Sequence, residues 1–150
     1  MRKALIFLLI GLMGCASVQI PAYVKDKKPY TKRFYANYEQ AYEALNKTLL
    51  DLGWEIEGTM DPAVYEQDSS SDLDEKKTLV LTHIRQTPLF IGTRYAKMNI
   101  FLRSKKKISE FEIRYVTVTS LLFKNFTSYR NDSAAERMFE YLDKTIKENK

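Results

Sequence analysis

The sequence predicts an α+β two-layer sandwich: an antiparallel sheet of four to five strands with two helices on one face, in the order (β)αββββα. Three observations predict it. Two segments, one following Asn37 and one following Ser133, place apolar residues at helical spacing. Four strand candidates lie between them, three alternating apolar and polar residues as strands with one covered face do, and one, Thr78 to Arg85, β-branched and apolar. A length of 150 residues with 45% hydrophobic and 29% charged residues suits one ordinary core, neither disordered nor multi-pass membrane.

The N-terminus comes first. Arg2 and Lys3 precede the apolar run Ala4 to Met13, which small residues end at Gly14-Cys15. This is the pattern of a secretory signal, and it is too short to span a hydrocarbon core, which takes about 20 apolar residues. Residues 1–14 are therefore expected to be removed, which lowers the formal charge from +5 to +3.

Leu12-Met13-Gly14-Cys15 resembles the lipobox of bacterial lipoproteins. The resemblance implies that Cys15 becomes the mature N-terminus and carries a covalent diacylglycerol and an N-acyl group such as palmitate. Two or more chains anchor stably where one binds only marginally. Ala16, where an Asp would signal retention in the inner membrane, is similar to lipoproteins forwarded to the outer membrane of enteric-type bacteria, with the domain on the periplasmic face. Residues 15–33 contain Pro21, Pro29 and a basic cluster at Lys25, Lys27 and Lys28 without sustained periodicity, and read as a lipidated Cys followed by a flexible tether.

The globular domain is expected over 34–150. A short strand near Phe34 leads to a helix capped by Asn37 with Gln40 three residues on, its apolar face formed by Tyr38, Ala41, Tyr42, Leu45, Leu49 and Leu52, and its stop at Gly53. Strands follow at Trp54–Glu57, Thr78–Arg85, Tyr95–Arg103 and Ile108–Thr119. In the third, Ala96, Met98, Ile100 and Leu102 face one way and Lys97, Asn99, Phe101 and Arg103 the other, so a sheet with one wet face is expected. Glu55, Glu57, Glu110 and Glu112 on that face can pair with Lys97, Arg103 and Arg114. The last helix opens with the Ser133-x-x-Glu136 capping box and runs through Met138, Phe139, Leu142 and Ile146 to a basic end.

The phrase Ala41-Tyr42-Glu43-Ala44-Leu45 through Leu52-Gly53-Trp54-Glu55-Ile56 weakly resembles the helix-grip domains of the lipoprotein C subunit of the outer-membrane β-barrel assembly machinery. The resemblance covers about 20 residues and implies a scaffold rather than an activity.

Two unusually apolar connections stand out. In a meander the segments after the second and fourth strands lie at one end of the sheet, and here they contain Leu89, Phe90 and Ile91 in one and Leu121, Leu122, Phe123 and Phe126 in the other. Exposed together they form a partner-binding patch; alternatively the fourth strand continues and buries Leu121 and Phe123, with Phe90 closing the core. The opposite end carries Glu66, Asp68, Asp72, Asp74 and Glu75 against Lys105, Lys106 and Lys107, a pairing that suits solubility. Asp68 to Glu75 lacks the spacing and central Gly of a calcium loop.

Catalytic signals are sparse. One Cys and one His exclude an internal disulfide, cysteine-rich zinc modules and most His-based metal sites. His83 reads as structural or surface, no phosphate-binding or nucleophile-elbow motif occurs, and the Glu pairs show no cleft signal for glycosidic hydrolysis. Aromatic and basic residues interleave, yet an exported protein rarely meets nucleic acid. The expectation is a membrane-anchored envelope lipoprotein, non-catalytic, without metal or further cofactor, that binds an unidentified envelope protein as an accessory module. Alternatives are a periplasmic carrier of lipid or glycan and an envelope hydrolase. The bulk of Trp54, Met98, Leu102, Phe111, Tyr115 and Phe139 disfavours the carrier.

Overall fold

The computed structural model describes residues 17–66, 74–122 and 124–148. Residues 1–16, and with them Cys15 and the signal segment, lie outside the described residues, as do Asp68, Asp72 and Phe123.

The described residues form an α+β fold with helices on one face of an antiparallel sheet. Strand β1 (Tyr30–Phe34) precedes helix α1 (Tyr38–Asp51); β2 (Ile56–Met60) and a short 3-10 turn (Pro62–Val64) precede β3 (Glu75–Thr82). Then come β4 (Arg85–Leu89), β5 (Gly92–Lys105), β6 (Ile108–Leu121), β7 (Lys124–Ser128) and helix α2 (Asp132–Glu148).

Local chemistry sets the helix ends. The Asn37 side chain accepts from the Gln40 N–H at 2.9 Å while Gln40 Oε1 accepts from the Asn37 N–H at 3.2 Å, the reciprocal box expected. Gly53 at φ +70 stops the helix in a backbone region that costs a side chain dearly. Helix α2 begins slightly earlier than its Ser133 signal: Asn131 Oδ1 accepts from Ala134 N–H at 3.1 Å, and the Tyr30 hydroxyl accepts from Asn131 N–H at 2.9 Å. Anchoring by β1 decides between two competent caps.

The sheet has seven strands rather than four or five, in the order β1-β6-β5-β3-β2, with β4 also on β5 and β7 also on β6. Its centre is the long β5–β6 hairpin, each strand 14 residues. Along β5, β3 pairs with residues Asn99 to Lys105 and β4 with Gly92 to Ala96; along β6, β1 pairs with Ser109 to Ile113 and β7 with Thr117 to Leu121. The hairpin thus has two halves. One is flanked by β3 and β1 and carries the helices; the other, flanked by β4 and β7, continues beyond them as a four-stranded extension.

Helix residues Leu45, Leu49, Met138 and Leu142 pack on Met98, Ile100, Leu102, Phe111 and Ile113 to form the main core. Phe34 lies edge-on to Phe111, and Trp54 edge-on to Tyr115. Trp54, Met98, Leu102, Phe111, Tyr115 and Phe139 are all buried, so the space between sheet and helices is filled.

Two expectations need correction. The tether expected over 15–33 is part of the domain from Tyr23 onward: Tyr23 and Val24 are buried, and Tyr30–Phe34 is a sheet strand. The second sheet face is not wet over its helix-backed half. Tyr23, Leu79, Leu81 and Phe101 form a smaller core there, with Met60 against it. Apolar side chains at Tyr23 and Val24 gain by leaving water, and that gain holds the N-terminal stretch on the sheet.

Candidate binding surface at the apolar end of the sheet

Register places both apolar connections at tight hairpin tips. Leu89 pairs with Gly92, leaving Phe90 and Ile91 as a two-residue turn, and Leu121 pairs with Lys124, which puts Leu122 at the tip of the β6–β7 hairpin. Short hairpin turns ordinarily take Asn and Gly, because they need positive φ. The β4–β5 turn instead puts its positive φ on Gly92, at +116, so Phe90 and Ile91 adopt ordinary backbone.

Gly92 also fastens one tip to the other. A Cβ at Gly92 would stand 2.0 Å from Ser120 O and 3.2 Å from Leu121 Cα, an approach that only glycine allows. Six of the seven candidate partner-binding residues lie among the described residues. Leu89 is half-buried at the end of β4; Phe90 and Leu122 are almost wholly exposed, at 102% and 74%; Ile91 and Phe126 are half exposed, and Leu121 somewhat less. Phe126 sits on β7 opposite Thr119, with Lys124 Nζ 5.0 Å from its ring centre. Phe123 lies outside the described residues. Strand β6 does run on through Leu121, but without burying the tip: exposure is the outcome at Phe90, Ile91, Leu121, Leu122 and Phe126.

The second face holds the expected charge pairs in a polar network that also takes in Tyr23, Arg33 and Glu66. Arg33 donates to Glu110 at 2.5 Å, Arg103 to Glu112 at 3.1 Å and Arg114 to Glu112 at 2.6 Å. Arg114 also donates to Glu66 and to the Tyr23 hydroxyl, and Tyr23 in turn donates to Glu66 at 2.6 Å. Lys97, buried, donates to Glu57 at 2.6 Å. The cross-strand pairs expected for Glu57 and Glu112 therefore form, with Lys97 and Glu112 buried and Glu57 exposed. Glu66 belongs to this network rather than to the charged end. At that end Glu75 pairs in register with Lys105 and lies 3.1 Å from Lys77.

The N-terminal stretch closes the network. Tyr23 stacks on Tyr65 with ring centres 4.6 Å apart, and the Arg114 guanidinium lies 4.5 Å from the Phe101 ring centre. Burial raises the Glu66 carboxyl, but hydrogen bonds from Arg114 and Tyr23 outweigh it and hold the group below the ordinary carboxylate range. Burial, then the bond to Glu66, pushes the Tyr23 hydroxyl well above the ordinary phenol range. Fully paired charges of this kind stiffen a sheet face. The signal for them was the apolar run Ala22-Tyr23-Val24 just ahead of the basic cluster Lys25, Lys27 and Lys28.

His83 is exposed, its N–H donating to Glu55 O at 2.8 Å, which is a structural use of the backbone. Among the described residues no group of three or more His, Cys, Asp or Glu is placed to hold a metal ion, and no helix is long and apolar enough to cross a membrane. Compared with known proteins, the chain matches no protein-family model, and it has no significant match among curated proteins or among solved structures.

Proposed function

We propose that the chain is an exported lipoprotein, held at the periplasmic face of the outer membrane through acylated Cys15, whose domain is a non-catalytic module that binds through the apolar end of its sheet. The observation that carries the binding surface is the pair of hairpin tips held together at Gly92, with Phe90 and Leu122 in the solvent. An apolar cluster placed at turns is expensive to leave in water, and on a folded domain it marks a contact surface. The leader and the lipobox residues Leu12-Met13-Gly14-Cys15 support the anchor.

A carrier needs room for its ligand, and the filled layer between helices and sheet speaks against one. The test is fractionation of cells that make the full chain or its Cys15→Ala variant. The wild-type chain stays with the envelope through high-salt and alkaline washes and the variant is released. A wild-type chain that washes off would contradict the anchor. For the surface, a photoreactive residue at Phe90 gives crosslinks within the envelope that one at Lys106 does not.

A further inference from the structure

The course of the N-terminal stretch says what the apolar end faces. Val18, Gln19 and Ile20 share a surface cleft with Gln86, Tyr95 and Ser120 of the four-stranded extension and with Ile84 in the β3–β4 connection. Ser120 precedes Leu121 and lies against Gly92, so the chain approaches its N-terminus beside the hairpin tips. Cys15 is three residues before Val18, and chain geometry keeps it within about 10 Å of that residue.

Charge points the same way. No Asp or Glu occurs between Glu75 and Glu110, nor between Glu112 and Asp132, so β4, β7 and the parts of β5 and β6 that pair with them hold Arg85, Arg94 and Lys124 and no acid. Basic residues around exposed aromatic and aliphatic side chains fit an anionic lipid surface, where the charges meet headgroups and the apolar groups enter the headgroup–acyl boundary by about 5–10 Å. The two tips are also the right shape for shallow entry: turns with paired strands behind them bring few unpaired backbone groups into lipid.

Resting on the lipoprotein reading above, we propose that the occupant of the apolar end is the bilayer itself: the tips at Phe90-Ile91 and at Leu122 enter the headgroup region beside acylated Cys15 and fix the domain's orientation. Strand β5, 14 residues long, then carries the Lys106-Lys107 turn about 40 Å from the membrane at roughly 3.3 Å per residue. A second anchor point turns a flexible tethering into a defined pose, with the cationic end of the sheet presented outward.

The experiment uses the full, lipidated chain purified from membranes. Phe90→Cys, Leu122→Cys and Lys106→Cys each supply one free thiol for an environment-sensitive fluorophore, since Cys15 is acylated, and unchanged Trp54 emission verifies the fold. Each is reconstituted on vesicles of phosphatidylethanolamine and phosphatidylglycerol, with and without nitroxide-labelled lipid. The expected result is co-flotation of all three, with probes at 90 and 122 blue-shifted and quenched several-fold more than the probe at 106. Co-flotation with all three probes reading as in water would overturn the inference while leaving the anchor intact, and would assign the tips to a protein. Failure to float would remove the anchor and the inference together.

Discussion

Gly92 and Ser120 approach so closely that the space of one methyl group separates them from collision: a Cβ on Gly92 would lie 2.0 Å from the Ser120 carbonyl oxygen. This contact sets the two hairpin tips side by side. Gly92→Ala combines that clash with a side chain at φ +116, and is expected to cost about 2–3 kcal/mol. Urea unfolding gives the loss, and hydrogen exchange locates it in β4 and the start of β5 rather than in α1 or α2. An alanine variant as stable as the wild type would mean the tips are not held together this way.

The tips themselves are expected to be dispensable for stability. Phe90→Ser and Leu122→Ser remove exposed side chains and should change stability by no more than about 0.5 kcal/mol. Leu142→Ala, at a fully buried position, should cost about 2–5 kcal/mol. If the serine variants melt like the core variant, these residues are packed inside.

The N-terminal stretch is expected to behave as part of the domain. Tyr23→Ala loses its packing on Phe101 and Tyr65 and removes a partner of Arg114, for a cost of about 3 kcal/mol. Hydrogen exchange at Tyr23 and Val24 should then approach that of an open chain. Equal protection in wild type and variant would return residues 17–28 to a tether.

Glu66 supplies a dependence on pH. Its folded-state pKa is lowered from the ordinary 4.5, so its contribution is complete above that value and is lost as pH falls through the lower folded value. The Tyr23 hydroxyl works oppositely: its raised pKa gives a contribution complete below the ordinary 10.0 and lost at still higher pH. Denaturant midpoints measured from pH 7 downward should fall below about pH 4.5, and Glu66→Gln should flatten part of that fall. An acid limb identical in the variant would contradict the role given to the Arg114–Glu66 pair.

Lys106 holds φ at +57 in the tight β5–β6 turn, a left-handed conformation that costs a side chain about 1–2 kcal/mol and that Asn tolerates better. Lys106→Asn is expected to raise Tm by a few degrees. A lower Tm would show that the lysine contributes something the backbone does not.

Periodicity made the helices and the main strands legible because each has one face against the core: Leu45 and Leu49, Met138 and Leu142, Met98 and Ile100 repeat at the spacing of the element that buries them. Edge strands carry no such pattern. Strand β4 reads Arg85-Gln86-Thr87-Pro88-Leu89, with a proline that only an edge accepts, and β7 is mostly polar, so both pass for loops. The polar second face was legible as charges able to pair. It was not legible as buried, because what covers it is an N-terminal stretch, with Tyr23 and Val24 buried, whose apolar residues follow no helical or strand period. At the apolar end, composition marked Phe90 and Leu122 as unusual for turns, and register was needed to show that they stand in solvent side by side.

A domain whose apolar sheet end faces lipid first has to be secured at Cys15, and the intact mass of the mature chain extracted from membranes decides that. The predicted mass is that of residues 15–150 plus a diacylglycerol and an amide-linked acyl chain, with the added mass lost in Cys15→Ala. A mass matching the uncleaved chain, or a cleaved chain with a free Cys15 thiol, would contradict it.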